Sequence, residues 1–102
     1  MKPTKVQERE FWEWCGFKEW VIPGWWVYPN KPSYEHNLIP PIDLNNLFKY
    51  AAPKLECVCL KTNLGISFIA EVQYGGTVYM GNFTDPALAL FWAIYEIIKE
   101  MK

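Results

Sequence analysis

Residues 65–100 read GISFIAEVQYGGTVYMGNFTDPALALFWAIYEIIKE, and this stretch decides the fold. Ile66, Phe68, Ala70, Val72 and Tyr74 alternate with Ser67, Glu71 and Gln73. That period of two is the pattern of a strand with one buried face. Gly75-Gly76 then reads as a tight two-residue hairpin, because both central positions of such a turn need positive φ. Thr77 to Phe83 is the returning strand. Thr84-Asp85-Pro86 starts a helix: an oxygen side chain takes up orphan N–H groups, and proline at the first helical position loses no hydrogen bond.

From Pro86 to Ile98 the only charge is Glu96. Leu88, Phe91, Trp92, Tyr95 and Ile98 stand at helical spacing, and Leu90, Ile94, Ile97 and Met101 form a second apolar row. A helix clothed in this way must be covered on more than one side, which places Leu88 in the core. The run falls short of the ~20 apolar residues of a bilayer span. It reads as a buried or interfacial helix, and no membrane partner is expected.

Upstream, Thr4-Lys5-Val6-Gln7 fits a capping box that opens a first helix. Phe11, Trp12, Trp14 and Cys15 occupy one arc of it, and Glu8, Arg9 and Glu13 the wet side. Gly16 is a left-handed terminator. Residues 18–22 and 25–28 read as two short strands around the turn pair Pro23-Gly24. This hairpin carries Trp20, Trp25, Trp26 and Tyr28. Adjacent Trp25 and Trp26 must point to opposite faces, so one ring faces outward. Residues 29–42, with Pro29, Pro32, Pro40 and Pro41, form a long loop holding Tyr34, Glu35 and the single histidine, His36. Asp43 caps a second helix with Leu44, Leu47, Phe48 and Ala51 on one core stripe, and Pro53 ends it. Leu55, Cys57 and Cys59 share one face of the next strand.

The expected fold is therefore α+β: an antiparallel sheet covered by helices, in the order α-β-β-α-β-β-β-α, as a single domain over residues 1–102.

Composition narrows the function. Lys plus Arg nearly balance Asp plus Glu, for a formal net charge of −1. Bulk electrostatics therefore recruits neither nucleic acid nor an anionic membrane. Six Trp, six Tyr and six Phe exceed what a core of 102 residues needs, so some rings are expected to line a ligand or partner surface. Cys15, Cys57 and Cys59 are an odd set with no evident signal peptide before them, which predicts buried, reduced thiols in a cytosolic protein.

No catalytic constellation stands out. His36 lacks a nucleophile motif beside it. C-x-C within a strand is not a zinc spacing, so no metal is expected. Gly75-Gly76 joins strand to strand and is no phosphate loop of the Walker kind. No enzyme activity and no cofactor are expected. What remains is binding. Trp25, Trp26, Tyr28, Tyr34 and His36 are the candidate ligand contacts, with Arg9 for a phosphate, and self-association as a symmetric dimer is expected.

Two resemblances bear on this. Phe11-Trp12-Glu13-Trp14-Cys15-Gly16-Phe17, Asp43-Leu44-Asn45, Ala70-Glu71-Val72 and Thr84-Asp85-Pro86-Ala87-Leu88-Ala89-Leu90 resemble the small bacteriophage proteins grouped as the phage ABA-sandwich domain family. That resemblance implies a phage-encoded protein acting in a bacterial cytoplasm and attaches no activity to those motifs. More weakly, Asp43 to Lys99 is similar in element order to double-stranded-RNA-binding domains, as is Phe68-Ile69-Ala70-Glu71-Val72 with Gly76 and Gly81. Where that family carries a lysine cluster at its last helix, this chain has Thr84-Asp85-Pro86-Ala87, so no nucleic-acid partner is expected. The ligand expected is a nucleotide-type small-molecule defence signal. The alternative is a host protein bound through an aromatic surface.

Overall fold

The computed structural model describes residues 2–18, the backbone of residues 19, 26 and 27, and residues 41–101. Contacts gather in two compact units, Met1–Pro40 and Pro41–Lys102.

In the first unit, α1 spans Lys5–Cys15. Its capping box is formed: the Gln7 amide donates to Thr4 Oγ1 at 3.1 Å and the Thr4 amide to Gln7 Oε1 at 2.9 Å. Gly16 ends the helix with φ of 111°, a conformation glycine adopts without a Cβ penalty. The Phe17 amide then donates back to the Trp12 carbonyl. Phe11, Trp12, Cys15 and Phe17 are buried. The Trp12 ring meets Phe11 and Phe17 edge-on, with centroids 5.0 and 5.4 Å away. Strands β1 (Lys18–Glu19) and β2 (Trp26–Val27) pair antiparallel, Lys18 opposite Val27 and Glu19 opposite Trp26.

The second unit is α+β. Asp43 caps α2 (Leu44–Asn46) by accepting from the Asn46 amide at 2.8 Å. The chain continues as a π turn over Leu47–Ala51 and a 3₁₀ turn over Ala52–Lys54. The cause is Pro53: it has no N–H to donate and its ring crowds the carbonyl four residues back. The Ala52 amide bonds instead to Leu47 O, five residues back. The widened turn breaks the expected core stripe. Leu47 and Ala51 are buried, whereas Phe48 is 46% exposed.

Strands β3 (Cys57–Asn63), β4 (Ser67–Tyr74) and β5 (Thr77–Phe83) form an antiparallel meander in that order. Ala70 sits opposite Leu60 and Gly81, and Val72 opposite Val58 and Tyr79. Ala70 and Val72 are buried, so this is the inner face. Ile66 does not join it. It closes a turn by donating to Asn63 O at 2.9 Å, and its side chain is 74% exposed. Cys57 and Cys59 lie on the outer face. Cys57 is exposed and Cys59 partly so. The expectation of three buried thiols therefore holds for Cys15 alone. Period-two spacing put the pair on one face without saying which.

Helix α3 (Pro86–Glu100) packs across β4 and β5. Asp85 Oδ1 accepts from the amides of Ala87 at 2.8 Å and Leu88 at 3.3 Å, as its sequence predicts. At about 100° per residue, the buried side chains run from Ala89 round to Tyr95 through about 240° of arc. Before the final residue, Glu100, only one strip stays open. Glu96 and Lys99 are exposed there, and Leu88 and Trp92 are half-buried. Leu88 is thus a border residue and not a core one. Met101, expected in the second apolar row, lies past the helix end and is exposed. The helix can approach the sheet closely because residue 81 is glycine. A Cβ there would overlap the Ala89 carbonyl and lie 2.8 Å from the Ala93 amide nitrogen.

Candidate functional site

The residues singled out for ligand binding belong to the first unit. Arg9 is exposed on α1, one turn before exposed Glu13, on the wet side its spacing predicts. The backbone of Trp26 is held in β2 opposite Glu19. Trp25, Tyr28, Tyr34 and His36 lie outside the described residues. The split of Trp25 and Trp26 between two faces lies there as well.

The second unit contains two places where backbone amides converge as they do around a bound anion. Each is already filled by a carboxylate of the chain. At the β4–β5 hairpin, Gly75 and Gly76 have φ of 60° and 81°. Their N–H groups turn to one side, the concave arrangement that cradles anions. Glu56 occupies it, accepting from Gly75 N at 2.9 Å and Gly76 N at 3.3 Å. At the start of α3 the dipole and unpaired amides favour negative charge, and Asp85 supplies it. The chemistry that could have gripped a phosphate here stabilises the fold instead. Sequence reading found Asp85 by its helix-start pattern. It missed Glu56, whose partners lie about twenty positions away and leave no local signature.

The outer sheet face carries one ion pair, Lys61 Nζ to Glu71 Oε2 at 3.1 Å. The Glu71 hydrogen bond, then its charge, holds the Lys61 ammonium above the usual lysine range. The pair is open to solvent, where such contacts contribute little. Tyr79 donates to Glu100 Oε1 at 3.3 Å. Desolvation, followed by the nearby Glu100 charge, raises its phenol above the ordinary tyrosine value. No group of three or more His, Cys, Asp or Glu suited to a metal occurs among the described residues. Nor is any helix among them long and apolar enough to cross a membrane.

Two apolar features emerge that sequence reading did not single out. Val78 and Met80, on the outer face of β5, are each 56% exposed. Leu64, at the β3–β4 turn, is 90% exposed and has φ of 54°. Left-handed backbone is unfavourable for a residue with a branched side chain.

The chain matches no protein-family model, no curated protein and no solved structure.

Proposed function

We propose that the protein is a phage accessory binding protein that acts without catalysis in a bacterial cytoplasm and sequesters a nucleotide-type small-molecule defence signal. The observation that carries this reading is the ring-dense stretch from Trp20 to Tyr34, in which the β1–β2 pairing fixes the backbone of Trp26. The outward ring of the Trp25–Trp26 pair, with Tyr28 and Tyr34, stacks on a base, each contact contributing about 1–3 kcal/mol. His36 and exposed Arg9 meet phosphate. Self-occupation of the hairpin and helix anion sites by Glu56 and Asp85 supports placing the ligand in residues 1–40. The phage setting rests on the family resemblance alone.

The test is thermal denaturation of the purified protein with a panel of cyclic and linear nucleotides. A bound nucleotide at one hundred times its Kd adds about 2.7 kcal/mol of stability, a readily seen rise in Tm. Tyr34→Ala should abolish the rise, and of Trp25→Ala and Trp26→Ala one should abolish it and the other should lower the stability of the unliganded protein. No shift with any nucleotide, together with no small molecule retained after purification, ends the proposal.

A second reading has its own support: an inhibitor or assembly factor that binds a host protein. Leu64 is nearly fully exposed in a strained conformation, and Ile66 is exposed beside it. Strained, exposed apolar residues persist at contact sites more readily than elsewhere. Capture of one host protein by the wild type, lost in Leu64→Asn, would favour this reading over nucleotide binding.

A further inference from the structure

We propose that β5 is a dimerisation edge, pairing antiparallel with β5 of a second copy across a two-fold axis at Met80. Among the described residues β5 pairs only with β4. The seven residues Thr77–Phe83 contain no charge and no proline. Their register with β4 runs without a bulge from Tyr74–Thr77 to Phe68–Phe83. Edge strands left open are normally blunted by a lysine, a proline or a bulge. The opposite edge, β3, has its lysine at position 61. β5 has none of these devices, so it has the character of a strand that is covered.

The hydrogen-bond alternation fixes the register. In a two-residue hairpin the closing pair, here Tyr74 and Thr77, exchanges both of its backbone bonds. Every second residue of β5 therefore bonds to β4. Val78, Met80 and Asn82 turn their N–H and C=O groups outward. An antiparallel mate centred on Met80 sets Met80 against Met80 and Val78 against Asn82, so that all six outward groups of each copy find partners. No like charges oppose each other, and the exposed faces of Val78 and Met80 are covered.

Helix α3 supplies a second surface on the same side. It meets β5 through Ala89 and Ala93 at Gly81 and through Glu100 at Tyr79. Going round the helix one way, towards Ile97 and Leu90, the side chains are buried over β4. Going the other way come Glu96, Trp92, Lys99 and Leu88, exposed or half-buried. That open strip borders the free edge of β5. Trp92 is held in edge-on contact with Phe91 and Tyr95, centroids 4.9 and 5.7 Å away. A pre-ordered, half-exposed tryptophan beside an unpaired strand suits the centre of an interface. A second copy fits because a two-fold presents the same uncharged edge to itself. Pairing of β5 with β3 of another copy would propagate without closing.

The inference does not depend on nucleotide binding. Sedimentation equilibrium at micromolar concentration tests it. The wild type should give twice the 12.0 kDa chain mass, 2 × 12.0 = 24.0 kDa. Met80→Lys and Val78→Lys each put ammonium groups at the seam on positions already exposed, and should give 12.0 kDa with unchanged circular dichroism. A monomeric wild type, an open-ended series of masses, or a dimer that survives both folded lysine variants would overturn it. Should one variant fail to fold, the other decides.

Discussion

Gly81 is the residue on which the helix–sheet contact turns. Any Cβ there meets the backbone of α3, at Ala89 and Ala93, and backbone cannot rotate away as a side-chain tip can. Gly81→Ala should therefore destabilise the protein by about 1–3 kcal/mol, the usual cost of overpacking. Urea unfolding checks this, and an unchanged midpoint would place the helix farther from the strand. Glu56→Ala frees the amides of Gly75 and Gly76 to water and should cost about 1 kcal/mol, since a charge-assisted bond is exchanged for a hydrated one. Leu64→Asn works in the opposite direction. Asn-Gly is the favoured pair when both turn residues have positive φ, as Leu64 and Gly65 do at 54° and 72°. The change should raise Tm, and a fall would mean that Leu64 makes contacts within the chain. Neither the contact at Gly81 nor that of Glu56 was legible, and the sequence showed only that residue 81 is a glycine. The reason for it lies in a helix that follows in the chain, and spacing does not display such approaches.

At the scale of elements, helix starts were the most legible feature. Thr4, Asp43 and Asp85 each cap as their patterns predict, because capping acts between residues two or three apart. Asp85→Ala should cost about 1–2 kcal/mol, measured by the same unfolding, with a larger loss of helical ellipticity than Asp43→Ala, whose helix is short. A loss no greater than that of an exposed control would mean that water satisfies the amides of Ala87 and Leu88 equally well. The hairpins were also legible, since Gly75-Gly76 admits few other geometries. The second helix was not. Its stripe of Leu44, Leu47, Phe48 and Ala51 assumes 3.6 residues per turn, and the π turn before Pro53 alters that spacing. Cys57 and Cys59 were correctly assigned to one face of a strand and wrongly to the inside. Both faces of β3 carry apolar residues, so alternation alone could not choose between them.

At the scale of the whole molecule, the α+β class and the element order were readable because each element announces its period and its ends. That β1 and β2 do not pair with β3, β4 or β5 among the described residues was not, since local turn signals join only consecutive strands. The candidate ligand residues were named from composition: eighteen aromatic residues in a small chain ask for a use beyond the core. Arg9 and the backbone of Trp26 take the exposed and extended places expected of them. We propose that this chain works by holding something, not by transforming it. Native mass spectrometry of the freshly purified protein measures that most directly. The predicted spectrum shows a two-chain species that retains a small molecule of nucleotide mass and releases it on Tyr34→Ala. A bare single chain of 12.0 kDa, unchanged when nucleotides are added, would contradict the account.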